Sequence, residues 1–175
     1  MFGINIIKKV GIDLFFYFFK GARIDAALKF NGNSRSPKEK VLKAGSKPIE
    51  SDNVYDNNDF ITKWELKSYG LLILKNNSKN YAYNVELVNA KDIFSTITPI
   101  EKLTSIAPNE KIELEVQFIQ YVMEQYGHEA DSHSGIPNSL HDKTLVIQYE
   151  NESGTKFFTK SYIDYKKIYN IYTTL

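Results

Sequence analysis

Residues 64–88 read WELKSYGLLILKNNSKNYAYNVELV, and two periodicities inside them decide the class of fold. Leu71 to Leu74 form a short apolar run of the length a strand has. Lys75-Asn76-Asn77-Ser78-Lys79-Asn80 then supply a turn, because Asn and Ser side chains hydrogen-bond to their own backbone. Beyond it Tyr81, Tyr83, Val85 and Leu87 alternate with Ala82, Asn84, Glu86 and Val88, the period of a strand with one buried face. The stretch predicts two strands and a turn. It contains no catalytic motif.

The pattern continues toward the C-terminus. Ile93 to Ile97 predicts a short strand stopped by Pro99, which has no N–H to give a central ladder. After the turn Ala107-Pro108-Asn109-Glu110, Ile112, Leu114, Val116 and Phe118 alternate with Glu113, Glu115, Gln117 and Ile119. Lys143 to Tyr149 and Phe157 to Ile163 predict a hairpin around residues 150–154, where Gly154 can take positive φ. In the tail, Tyr162, Tyr165, Tyr169 and Tyr172 also fit a helical stripe, so the β reading there rests on β-branched residues alone. Upstream, Phe60 to Leu66 alternates loosely toward Trp64 and Leu66. Roughly seven short strands with regular turn signals predict a mainly β chain, an antiparallel β-sandwich over residues 59–175. Trp64, Leu72, Val85, Val116, Phe118 and Val146 are expected to share its core.

Three motifs carry a resemblance. Asn76-Asn77-Ser78 ends one strand, Ala82-Tyr83-Asn84-Val85 opens the next, and Pro108-Asn109-Glu110 precedes a long alternating strand. In this the sequence resembles the bacterial immunoglobulin-like sandwiches of the CARDB and DUF11 kind, over about residues 64–160. The resemblance implies an immunoglobulin-like β-sandwich that acts as a spacer or binding module, and it brings no catalytic residue.

The first sixty residues read differently. Residues 4–19, INIIKKVGIDLFFYFF, are the most apolar stretch, and on a helical wheel Lys9, Asp13 and Lys20 share one narrow stripe. An N-terminal apolar helix over residues 1–30 is expected, with ARIDAALKF (22–30) continuing it until Asn31-Gly32-Asn33. Sixteen helical residues span roughly 24 Å, short of a hydrocarbon layer of roughly 30 Å. The helix is open to being buried on protein, lying in a membrane interface, or acting as a signal peptide or span. No A-x-A-like cleavage site follows it. Phe15, Phe16, Phe18, Phe19, Lys20 and Arg23 are the candidate contacts to an anionic membrane surface or a protein partner. Residues 31–58, rich in Gly, Pro, Ser, Asn and Lys, read as a polar basic linker or loop.

Composition narrows the chemistry. The 175 residues are 42% hydrophobic and 14% aromatic, enough for one domain with a sizeable core. The net charge of +1 hides a split: residues 1–50 carry ten Lys/Arg against four Asp/Glu, and residues 51–175 twelve against seventeen. Basic residues follow the apolar segment, which expects a cytoplasmic body at the inner face of a membrane. Cysteine is absent, which excludes disulfides and thiolate metal sites. Twenty lysines against two arginines, with abundant Ile and Asn, read as the codon bias of an AT-rich bacterial genome and not as chemistry.

The polar loop 124–142 holds all three histidines, His128, His133 and His141, with Glu124, Glu129 and Asp131 among them. His128, Asp131 and His133 are the weak metal candidates, at a spacing that fits no strong motif. A solvated loop is the plainer reading. Asp131-Ser132-His133-Ser134 has the residue types of a triad, but chain neighbours cannot converge on one point. No basic stripe interleaved with aromatics or Gly-rich phosphate loop appears, so neither a nucleic acid nor a cofactor is expected. Asn76-Asn77-Ser78 and Asn151-Glu152-Ser153 match glycosylation sequons but read as turns. The expectation is a non-enzymatic interaction or accessory module tethered by its N-terminus to a membrane surface or protein, or by self-association. The alternative is a metal-dependent enzyme or metal-binding protein using loop 124–142.

Overall fold

The computed structural model describes residues 21–46, 59–97, 103–124, 136–164 and 167–174. The apolar segment 4–19, with Phe15, Phe16, Phe18, Phe19 and Lys20, lies outside them, as do residues 47–58, His128, Asp131 and His133. Nine strands are described: β1 (Ile24–Leu42), β2 (Phe60–Asn76), β3 (Ala82–Leu87), β4 (Thr96–Ile97), β5 (Leu103–Ile106), β6 (Lys111–Glu124), β7 (Thr144–Glu150), β8 (Lys156–Ile163) and β9 (Ile168–Thr174). One helical turn, α1 (Ala90–Ile93), interrupts them. The first sheet has the order β1-β2-β6-β4 and the second β5-β3-β7-β8-β9, and every pairing is antiparallel. Each link from β2 to β7 crosses from one sheet to the other.

One core fills the space between the sheets. Ile24, Leu72 and Leu74 from the first meet Val85, Ile147 and Phe157 from the second, all within 1% of full burial. Val116 and Leu114 join them, and Phe118 packs against the cluster half-buried. Two of the six expected core residues sit elsewhere. Val146 faces outward, because Leu145, Ile147 and Tyr149 take the inner positions of β7. Trp64 shares a face with Leu72 but lies farther along β2, half-buried, with the Arg35 guanidinium 5.4 Å from its ring centroid.

β1 overturns the helical reading of residues 22–30 and the linker reading of 31–42. Ile24, Ala26, Leu28 and Phe30 alternate with Asp25, Ala27 and Lys29, a two-residue period that a short helical pattern can imitate. From Asn31 onward almost every residue of β1 is exposed, so no hydrophobic period marks it. Its ladder with β2, which runs to Leu42↔Phe60, holds it instead. Register shifts at Phe30/Gly32 and Pro37/Glu39, with Pro37 and several lysines, suit an edge strand that must not pair with a stranger. β2 likewise runs through Lys67–Gly70 without a break, and Gly70 makes this possible. A Cβ there would stand 2.5 Å from the Lys29 carbonyl oxygen and 2.9 Å from Phe30 Cα.

Carboxamides form the joints of the fold. At the end of β2, buried Asn76 donates to Ile106 O (3.0 Å) and Asn80 O (2.8 Å) and accepts from Ser78 N and Oγ. Asn151 repeats the device after β7, accepting from Ser153 N, Ser153 Oγ and Thr155 N, with Gly154 at φ +78°. Both Asn-x-Ser sequences are therefore turns. Asn89 grips β7, donating to Thr144 O and accepting from Val146 N. Asn170 does the same between the sheets: Ala26 N–H donates to its Oδ1 at 3.1 Å and its Nδ2 donates to Ala26 O at 3.1 Å. The edge strand β1 is thus sewn to the edge strand β9 in part by a side chain that imitates a neighbouring backbone. Asparagine is chemistry here, whatever its codons.

Candidate functional site

β8 (KFFTKSYI) divides its apolar residues between its two faces, with Phe157 and Ile163 inward. Its inward positions include Thr159 and Ser161, both fully buried, while Phe158 and Tyr162 point outward. The inward hydroxyls are satisfied: Thr159 Oγ1 lies 3.3 Å from the Tyr149 hydroxyl, and Ser161 Oγ donates to Asn170 Oδ1 at 2.6 Å. Burial pushes the Tyr149 phenol up to about 12. Tyr172, beside it, is raised by burial and then by its hydrogen bond to Asp25, which Asn77 also holds. These groups lock β1 to the second sheet.

The outward side of the same strand carries the candidate site. Register places Val146, Lys160 and Ile171 in one row across β7, β8 and β9, and Thr144, Tyr162 and Tyr169 in the next. Phe158 lies between Gln148 and Thr173 in a third row. Tyr162, Tyr169 and Ile171 are 41%, 46% and 48% exposed, and Val88, hydrogen-bonded through its N–H to Val146 O, is 54% exposed. Singly exposed apolar residues are ordinary; several sharing one sheet face make this face the candidate site. Lys167 Nζ stands 4.6 Å from the Tyr169 ring centroid at the rim. Lys160 stands in the middle, and among the described residues no ion pair reaches it. The acidic groups of this face lie toward β3: Glu150, opposite Lys156 and held by Asn84 Nδ2 at 2.7 Å, and Glu86 opposite Gln148.

A second polar cluster lies on the far end of the first sheet. Glu65, its side chain 8% exposed, meets Lys38 Nζ at 3.0 Å and Lys67 Nζ at 3.3 Å, and the Tyr121 hydroxyl donates to it at 3.2 Å. The Lys38 ammonium, against the opposing pull of burial and with help from Lys67 and Tyr121, holds the Glu65 carboxyl below the usual range. Every strong partner there is engaged, so the cluster ties β1 to β2 and β6 rather than awaiting a substrate.

Of the sequence-predicted contacts, only Arg23 lies within the described residues, and its guanidinium is 5.9 Å from the Tyr172 ring centroid. His141 is half-buried in the turn before β7, beneath which Leu140 is fully buried. Among the described residues no three His, Cys, Asp or Glu side chains gather as metal ligands, and no helix is long and apolar enough to cross a membrane. Sequence reasoning missed Lys160, Tyr162, Tyr169 and Ile171. The available signal was in β8, where Phe158 and Tyr162 share the lysine-bearing face of Lys156 and Lys160. The chain matches no family model, no curated protein and no solved structure.

Proposed function

We propose that the chain is a non-enzymatic interaction module built on an immunoglobulin-like frame. The pairing β1-β2-β6-β4 facing β3-β7-β8 supports that frame, since it follows the A-B-E-D and C-F-G order of immunoglobulin strands, with β5 and β9 added to the second sheet. The observation that carries the function is the outer face of β7-β8-β9, where tyrosine and aliphatic side chains stay exposed around a lysine. The apolar residues 4–19 and the basic residues after them provide the tether, to protein or to the cytoplasmic face of an anionic membrane. Photo-crosslinking in the producing cell tests the reading. A benzophenone side chain at Tyr162 or Tyr169 should give a discrete adduct, whereas one at Glu113, on the outer face of the first sheet, should not. Equal labelling at all three positions, or none, would overturn it.

A further inference from the structure

The geometry points to the chemistry of the partner: the outer face of β7-β8-β9 takes an acidic protein segment whose carboxylate meets Lys160 between apolar side chains. This rests on the reading of that face as an interaction surface and goes further by naming what fits it. Lys160 has Val146 and Ile171 directly beside it across the ladder, where opposed side chains stand about 5 Å apart. Along its own strand the same-face neighbours are Phe158 and Tyr162, each about 7 Å away. The ammonium is therefore ringed by four apolar or aromatic side chains. In the free protein water solvates it. A partner that covered those four groups would strip that water, and a buried charge without a counter-charge is strongly unfavourable.

The occupant must then bring an anion to the centre, and that choice separates the candidates. A second copy docked about a two-fold axis through this face would set Lys160 against Lys160. A purely apolar partner would leave the ammonium unpaired. An anionic lipid surface draws on many lysines at once. Here Lys156 lies opposite Glu150, Lys167 sits against Tyr169, and Glu86 adds a negative charge toward β3. Lys160 alone among these lysines stands within an apolar ring, and among the described residues no ion pair reaches it, which suits one carboxylate flanked by apolar residues. Tyrosine, the prevalent exposed residue of the face, offers large contact area at low entropic cost.

The test uses the full chain and a phage library of random peptides of about twelve residues, long enough to span β8 at about 3.3 Å per residue. Selected peptides should carry Asp or Glu bracketed by aromatic or aliphatic residues. Lys160→Glu should weaken a synthetic copy of the selected peptide by about tenfold or more. Tyr162→Ala combined with Ile171→Ser should do likewise, and Lys29→Glu, exposed on β1, should leave affinity unchanged. Selected peptides without an acid, or equal binding by Lys160→Glu, would overturn the assignment while leaving the crosslinking result standing. So would flotation on phosphatidylglycerol vesicles that Lys160→Glu abolishes, which gives the face to lipid. Dimerisation that Lys160→Glu abolishes would give it to a second copy and overturn the assignment too.

Discussion

Asn170 is the residue at which two sheets become one body, and replacing it measures that joint. Its carboxamide makes three hydrogen bonds, accepting from Ala26 N–H and Ser161 Oγ and donating to Ala26 O. Ala26 is 3% exposed and Ser161 fully buried, so water can reach these groups only poorly once the side chain is gone. At about 1 kcal/mol net for each bond, Asn170→Ala should cost at least about 3 kcal/mol, since the orphaned groups stay poorly hydrated. For a chain of this size that lowers the melting temperature by roughly 6–12 °C. Asn170→Asp discriminates better. It keeps both accepting positions, but at neutral pH it sets a carboxylate oxygen against Ala26 O, where an N–H used to donate. Protonation restores a donor, so the folded state should hold the proton more tightly than the unfolded chain, whose Asp titrates near pH ~3.9. A folded pKa raised in this way gives stability that is present at low pH and lost as pH rises through it. The stability gap between Asn170→Asp and the natural chain should thus be widest at pH 7 and narrow toward pH 4. Urea unfolding of both at each pH reads it directly. A gap that vanished at pH 7, or that widened on acidification, would refute the idea that a carboxamide imitating backbone holds β1 to β9.

Three further outcomes follow from named contacts. Gly70→Ala should cost about 1–3 kcal/mol, because its Cβ meets first the backbone of Lys29 and Phe30, which cannot swing aside as a side chain can; an unchanged denaturation midpoint would contradict the close β1–β2 approach. Val116→Asp should bury an unpaired charge at a site 4% exposed and cost several kcal/mol, so retention of the natural melting temperature would contradict the register of β6. Glu65, whose carboxyl Lys38 holds below its ordinary value of 4.5, contributes stability that is present above that pH and lost as pH falls through the lower folded value. Glu65→Gln should therefore flatten the acid limb of the melting temperature against pH, and an unchanged acid limb would show that the ion cluster does not stabilise the fold.

What could be read in the sequence was governed by whether a strand has one wet face. Residues 112–118 and the hairpin 144–163 announce themselves because burial on one side imposes a two-residue period. β1 beyond Phe30 has water on nearly every side chain, so its sequence carries turn-formers and lysines as a loop's does; only its ladder with β2 reveals it. The roles of Asn89 and Asn170 are hidden for a related reason. A carboxamide can serve as a backbone substitute anywhere, and which backbone it meets depends on where two sheets approach, a tertiary fact with no local signature.

The candidate site was hidden because β8 divides its apolar residues between its two faces. Phe157 and Ile163 share one face with Thr159 and Ser161, while Phe158 and Tyr162 share the other with Lys156 and Lys160. The structure buries the first, and part of the reason lies on the neighbouring strands. Tyr149 from β7 and Asn170 from β9 both reach inward and need polar partners there, which a threonine and a serine supply and a phenylalanine could not. The polar joint that closes the two sheets thus helps fix which side of β8 is buried. Once it does, Phe158 and Tyr162 must face outward, around Lys160. The proposed interaction surface and the Asn170 joint lie on two faces of one strand, so the stability of the joint should govern the presentation of the surface. Asn170→Ala should accordingly weaken peptide binding at Lys160 even though Asn170 lies on the opposite side of the sheet. Equal affinity in a folded Asn170→Ala protein would show that the face forms independently of the joint.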